Sequence, residues 1–316
     1  AHLAGDASSR SYQRLTRGEQ QAVLMDSPPG GADSPASFVL IADHLLAMGL
    51  SAPRILAKDP EAGFLLLEDL GDGLYARLIA GDPALELPLY AAATDALLHL
   101  QRHSPPKDLP DLSARDWAEA AAIAPEWYAF AVTGARHGCS DFVNALTDVL
   151  RAHADGPRVL ILRDFHAENL LWLPGRNGLA RVGLLDFQLA QLGQPEYDLV
   201  SLLQDARRDV GAETSATTIR QFAAQSGRES HFIAAGFAAL GAQRALRILG
   251  VFARLCLVDG KSAYVDKLPR VWRDLQTNLR HPALAPLAAI CARTLPEPTP
   301  AALRLIKEKC KTHPSP

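Results

Sequence analysis

Cysteine is scarce in this chain: Cys139, Cys256, Cys291 and Cys310 stand 117, 35 and 19 positions apart. None of those intervals is the close pair of a zinc or dithiol site, so the four read as reduced thiols and a disulfide-stapled fold is excluded. No window approaches the roughly 18 uncharged apolar residues of a membrane span, which argues against a transmembrane protein. A basic-then-apolar leader is absent, and so is an initiator methionine; the expectation is a cytoplasmic chain that begins inside a longer gene product. Internal repeats and low-complexity tracts are missing as well. What is present suits a soluble globular protein: 316 residues, 48% hydrophobic and 21% charged, excludes dominant disorder. The length is about twice a typical domain and predicts two lobes or two packed domains.

The net charge of -3 conceals an asymmetry. Residues 1–198 carry 15 Lys and Arg against 26 Asp and Glu, a balance of -11; residues 199–316 carry 17 against 9, a balance of +8. A basic half suits nucleic acid, an acidic membrane surface or a small anionic substrate, and a solvated charge bias gives the same arithmetic.

Patterning divides the chain near Gly71. Before it, residues 11–17, 21–26, 55–57 and 63–68 read as strands, the last apolar throughout and expected to be central, with one helix over residues 38–48. After it the period is helical over residues 85–101, 117–135 and 142–154, and again from Leu199 to about Ile306. Residues 307–316 read as a frayed tail. Inside the helical half lies one strand island, at residues 158–162, 170–173 and 180–185. The expected fold class is α+β, with a strand-rich lobe over residues 1–70 and a helical lobe over residues 71–316.

Polar residues gather at the strand ends of that island. Arg163-Asp164-Phe165-His166-Ala167-Glu168-Asn169 follows one apolar strand, and Asp186-Phe187-Gln188 follows another. In phosphoryl transfer one Asp accepts or orients the attacking hydroxyl, while an Asn five residues on and a second Asp hold Mg²⁺ against nucleotide phosphates. As turn residues and N-caps each is explained singly, but all three together are not. Near the N-terminus, Gly5-Asp-Ala-Ser8-Ser9-Arg10-Ser-Tyr12 is a small polar turn suited to laying backbone N–H groups over phosphate oxygens.

Asp164, Asn169 and Asp186 resemble the catalytic loop and metal aspartate of the protein-kinase-like fold, in wording closest to its aminoglycoside-phosphotransferase branch. The lettering departs in two places: Leu162-Arg163-Asp164 stands where that branch has His-Gly-Asp, and Gln188 replaces the glycine of the protein-kinase triplet. Further stretches, among them Leu24-Met-Asp-Ser-Pro-Pro29, Gly63-Phe-Leu-Leu-Leu-Glu-Asp-Leu-Gly71, Tyr197-Asp-Leu-Val-Ser-Leu-Leu203 and Asp259-Gly-Lys261-Ser-Ala-Tyr264, are similar to the bacterial anomeric sugar kinases of cell-wall recycling. The resemblance implies a bilobal kinase that uses ATP and Mg²⁺ to phosphorylate the C1 hydroxyl of N-acetylmuramate or N-acetylglucosamine. It implies Asp164 at the hydroxyl and Asn169 and Asp186 at the metal. Ser8, Ser9, Arg10 and Arg14 would face the phosphates, since the third strand has no lysine, and Glu68 and Leu70 would meet the adenine through their backbone.

On the acceptor side, the +8 of residues 199–316 argues against a polycationic antibiotic. Arg244, Arg247 and Arg254 recur within about 80° of one face at 100° per residue. Arg254 and Lys261 are the candidates for the lactyl carboxylate of N-acetylmuramate, with Asp205, His166 and Glu168 for sugar hydroxyls. A solvated helix face, a buried structural histidine and a surface acid account for the same residues. A small-molecule amino sugar is the expected partner; nucleic acid, membrane and an obligate protein partner are not. Another small alcohol acceptor and an ATP-binding pseudokinase remain the alternatives.

Overall fold

Short apolar runs bounded by turns become an antiparallel five-stranded sheet in the order β1-β2-β3-β5-β4. In the computed structural model, which describes residues 2–3, 10–27, 35–136 and 138–313, these strands are β1 (His2–Leu3), β2 (Ser11–Arg17), β3 (Gln20–Asp26), β4 (Ile55–Asp59) and β5 (Phe64–Glu68). The apolar strand β5 lies between β3 and β4, as its composition requires, with Leu65 and Leu67 buried alongside Met25 of β3. Between β3 and β4, helix α1 (Pro35–Ala47) buries Phe38, Ile41, Ala42 and Leu45, the i, i+3, i+4, i+7 stripe of an amphipathic helix.

The chain continues through α2 (Tyr75–Gly81), α3 (Glu86–Gln101), α4 (Ala114–Ala121), a π-helical turn (Ala124–Ala129), α5 (Phe130–Thr133) and α6 (Ser140–His153). Strands β6 (Val159–Ile161), β7 (Leu170–Trp172), β8 (Val182–Leu184) and β9 (Gln191–Gly193) follow, then helices α7 (Glu196–Leu203), α8 (Ala212–Ser226), α9 (Ser230–Leu257), α10 (Leu268–Leu279), α11 (Ala285–Thr294) and α12 (Pro300–Glu308). The class is α+β, small antiparallel sheets with a larger helical content, as expected. By packing, the chain forms two units. The first comprises Ala1–Pro110, Val159–Gly193 and Gly211–Ser226; the second comprises Asp111–Arg158, Gln194–Val210 and Gly227–Pro316.

In the first unit β7 pairs with β8 and β6 with β9, a strand that carried no sequence signal. Helix α3 packs on α8, where Gln221 Nε2 donates to the Ala91 carbonyl at 3.1 Å and to Asp95 Oδ1 at 2.7 Å. The second unit is built around α9, which packs against α4, α6, α7, α10 and the π-helical turn. Among the described residues α9 is the one helix long and apolar enough by composition to cross a membrane, a correction to the expectation that no such run exists. Its most apolar window is 72% buried inside the unit, so core packing accounts for that apolarity.

Two other expectations are revised. The helix read over residues 117–135 runs on in helical backbone to Thr133 but widens into the π-helical turn over Ala124–Ala129, because Pro125 supplies no N–H and its ring opposes the carbonyl four residues back. The tail is docked to the limit of the described residues: Lys307 pairs with Asp266 at 2.6 Å, Lys309 Nζ donates to the Ala131 carbonyl at 2.7 Å, and the Lys311 N–H donates to the Cys256 carbonyl at 2.9 Å.

One glycine governs how the first unit closes on itself. The Trp172 N–H donates to the Gly73 carbonyl at 2.8 Å, and a Cβ at residue 73 would stand 2.6 Å from the Trp172 carbonyl oxygen. That contact is with backbone, which cannot rotate away. Gly73→Ala is therefore expected to destabilise the protein by about 1–3 kcal/mol in urea titration. Gly81→Ala, where a Cβ meets nothing within 4 Å, should leave the midpoint unchanged or slightly raised.

Candidate functional site

The register of β7 and β8 builds the site. Leu170 opposes Leu184, so Asn169 and Leu185 stand opposite each other one position beyond the ladder, where the Leu185 N–H donates to the Asn169 carbonyl at 2.9 Å. Asp186 follows directly, and Asn169 Nδ2 lies 3.5 Å from its Oδ2. The same Nδ2 donates to the Asp164 carbonyl at 2.9 Å. One amide thus ties together the three residues that the sequence singles out.

Two left-handed residues flank this arrangement, Arg163 at φ 71° and Asp186 at φ 56°. A non-glycine residue in that region costs of order 1–3 kcal/mol and persists where its surroundings impose it. At Arg163 the turn is closed by the Asp164 N–H donating to the Leu162 carbonyl at 2.9 Å. At Asp186 it is held by the next two residues: Phe187 is fully buried with its ring centroid 4.8 Å from that of Phe38, and Gln188 Nε2 donates to Asp186 Oδ1 at 2.6 Å. Asp164 is half-buried and Asp186 exposed.

His166 and Glu168, expected at sugar hydroxyls, sit differently. Glu168 is exposed, whereas His166 is 2% exposed with Nε2 3.5 Å from Asn169 Nδ2, facing the loop from within. The Asn169 N–H donates to the His166 carbonyl at 2.8 Å, so the histidine also shapes the loop through its backbone.

The sheet-side candidates are engaged with one another. Arg14 on β2 meets Asp69 at 2.5 Å and Asp72 at 3.0 Å; hydrogen bonds with Asp72, then Asp69, raise its pKa further, and Arg14 in turn lowers that of Asp72. Glu68, at the end of β5, accepts from Arg54 Nε at 3.1 Å and from Arg176 Nη2 at 2.7 Å. Burial pushes the Glu68 carboxyl up, but the Arg54 hydrogen bonds and the Arg176 charge outweigh it and hold the group below the usual range. Leu70 is half-buried and Arg10 is buried. Ser8 and Ser9 lie outside the described residues.

Asp205, Arg254 and Lys261 belong to the second unit. Asp205 is 1% exposed, its pKa raised by burial against the opposing hydrogen bond from the Arg207 N–H at 2.8 Å. The basic stripe is not a uniformly solvated face: Arg244 is buried and stacked toward Tyr197 with 6.0 Å to the ring centroid, while Arg247 and Arg254 are half-buried. Arg244 borders a cavity of about 10 Å³ with Gln204 and Asp274, room for a water at most. Lys261 is exposed, and among the described residues neither Lys261 nor Arg254 has a carboxylate partner.

As chemistry, the loop offers a carboxylate at Asp164 and, beside it, an amide and a second carboxylate. No group of three or more His, Cys, Asp or Glu side chains suited to a metal occurs among the described residues. Asn169 and Asp186 nevertheless fit Mg²⁺, a hard cation that takes oxygen donors and is commonly held by one or two carboxylates together with substrate phosphates. Sequence reasoning missed Arg176 and treated Gln188 only as a departure; neither sits in a pattern that betrays its partner.

A model of a phosphotransferase enzyme family matches residues 1–235. The chain is 42% identical to the N-acetylmuramate/N-acetylglucosamine kinase of Caulobacter vibrioides, covering 94% of this chain and 92% of that protein. It is 32% identical to the enzyme of the same name from Pseudomonas aeruginosa, covering 93% and 88%. Among solved structures, a choline kinase from Streptococcus pneumoniae superposes with a TM-score of 0.59 at 14% identity, covering 87% of this chain and 92% of that one, a likeness of fold.

The Arg176 network yields a pH-dependent test. Arg176 also donates from Nη1 to Ser51 Oγ at 2.6 Å, so it fastens the β7–β8 turn to both Glu68 and the segment before β4. Arg176→Met is expected to lower stability at pH 7 by about 1–3 kcal/mol. Because the folded pKa of Glu68 is depressed, its share is present above the unfolded value of about 4.3 and is lost as pH falls through the folded value. Chemical denaturation should show the gap between wild type and variant narrowing as pH drops below about 4, with a remainder from the non-titrating Ser51 bond. A gap that widens in acid would contradict this account.

Proposed function

The chain belongs to the phosphotransferase enzyme family, and from that premise we propose that it is an ATP-dependent kinase that phosphorylates the anomeric hydroxyl of N-acetylmuramate and N-acetylglucosamine, giving sugar 1-phosphates for peptidoglycan recycling. The observation that carries this reading is the Asn169 amide joined to the Asp164 carbonyl and set against Asp186, in a chain 42% identical over most of its length to a kinase named for those two sugars.

Asp164 receives the C1 hydroxyl and orients its oxygen for in-line attack on the γ-phosphorus. Asn169 and Asp186 would hold Mg²⁺, which when bound supplies charge neutralisation at the transferring phosphoryl group. Positioning does most of the work, since phosphoryl transfer asks for little covalent participation from the protein. Ser8, Ser9 and Arg10 serve the nucleotide phosphates, and the backbone at Glu68 and Leu70 serves the adenine edge. Arg14 would have to exchange Asp69 and Asp72 for a phosphate before joining them.

For the acceptor, Arg254 and Lys261 are cations without a carboxylate partner among the described residues, which suits recognition of the lactyl carboxylate. Asp205 is too enclosed to meet a sugar hydroxyl without rearrangement, and its place in the acceptor set rests on position alone.

Asp164→Asn should reduce ATP-dependent sugar phosphorylation by at least about 100-fold with the fold intact; turnover near wild type would overturn the assignment. Arg254→Ala and Lys261→Ala should each raise KM for N-acetylmuramate by about tenfold, with little change for N-acetylglucosamine, which has no carboxylate. Equal effects on both sugars in steady-state assays would refute the carboxylate clamp.

A further inference from the structure

Gln188 stands where a protein kinase has a glycine, and it is not a spectator there. Its side chain is 6% exposed, and Nε2 donates to Asp186 Oδ1 at 2.6 Å, a short, charge-assisted contact. The other end of the amide is buried with no hydrogen-bond partner. Reversing the amide would place two oxygens against each other, so the carboxylate fixes which way it points. The orphaned Oε1 is a cost that a space-filling apolar residue would avoid, and the bond to an ionised carboxylate offsets it.

The two oxygens of Asp186 are consequently different. Oδ1 is taken by Gln188, while Oδ2 faces Asn169 Nδ2 at 3.5 Å. The backbone adds to the constraint, because Asp186 sits at φ 56° between the Leu185 N–H bond to Asn169 and the buried Phe187 ring. We propose that Gln188 is a positioning residue that fixes the Asp186 carboxylate so that Oδ2, on the Asn169 side, is the oxygen presented to a divalent cation. The inference rests on reading Asp186 as a metal residue. It assigns to this chain a substitute for whatever orients that carboxylate when the third residue is glycine.

The test uses Mn²⁺ as the probe, with its binding to the full-length protein in the presence of ADP read by electron paramagnetic resonance rather than by turnover. Gln188→Met keeps length and bulk but removes the donor; Gln188→Asn keeps the amide but is one methylene too short. Both are expected to weaken Mn²⁺ binding by about tenfold or more, while the sugar KM, and for Gln188→Met the thermal midpoint, stay near wild type. A packing role would instead be rescued by Met. Mn²⁺ affinity of Gln188→Met within about twofold of wild type, in a preparation where Asp186→Asn abolishes binding, would overturn the proposal and leave the metal reading standing. Unchanged binding in Asp186→Asn would overturn both. Should Gln188→Met not fold, the Asn variant alone decides by the same criterion.

Discussion

The site depends on the register of a hairpin that is too small to hold itself. Strands β7 and β8 contribute three residues each, and an isolated two-stranded hairpin is marginal in water. A slip of one residue would turn alternate side chains to the other face and carry Asn169 away from Asp186. The pairing of Leu170 with Leu184 is fixed by what borders it. On the β8 side the Leu184 N–H donates to the Ser51 carbonyl at 2.8 Å, and on the β7 side the Trp172 N–H donates to the Gly73 carbonyl at 2.8 Å. Both partners lie in segments flanking the five-stranded sheet, so the small sheet inherits its register from the larger one. Arg176 adds a side-chain fastening from the turn to Ser51 and Glu68.

Within that frame, local strain has been traded for precision of placement. Arg163 and Asp186 both occupy left-handed backbone, and each is locked by a neighbour with no freedom to yield: Leu162 through its carbonyl, Phe187 through its buried ring. A more relaxed Asp186 would leave its carboxylate free to rotate, and Gln188 removes much of that freedom. The asymmetry of the Asp186 oxygens is thus a property of three consecutive residues rather than of the aspartate.

Much of this was legible in the residues. Apolar runs between turns located β2, β3, β5 and the strand island, and helical spacing located α1, α3 and α6, because burial imposes its period on the sequence. The Asp164, Asn169 and Asp186 set was visible as polar residues placed where strands end. What escaped has a common cause. Arg176 and Gln188 act through one partner each, and nothing in composition or period says which carboxylate a given side chain will meet. Strand β9 was unreadable because its pairing with β6 is imposed by tertiary context over only three residues. The docked tail was misread for the same reason: its anchors at Asp266, Ala131 and Cys256 are remote in sequence.

The charge arithmetic changes meaning once partners are assigned. In the second unit Asp209 is shared by Arg270 and Arg273, Glu196 is paired with Arg228, and Lys307 with Asp266, so several of the basic residues after position 198 are locally neutralised. Three acids of that unit are weakened. Burial raises the pKa of Glu196 and Asp205, and pushes that of Asp274 up to about 6. As pH falls toward about 6, Asp274 takes up a proton before an exposed carboxylate would, and the positive balance grows. A formal excess spread evenly would say little about recognition. Here part of it is cancelled in pairs, and Arg254 and Lys261 are among the cations that have no carboxylate partner among the described residues.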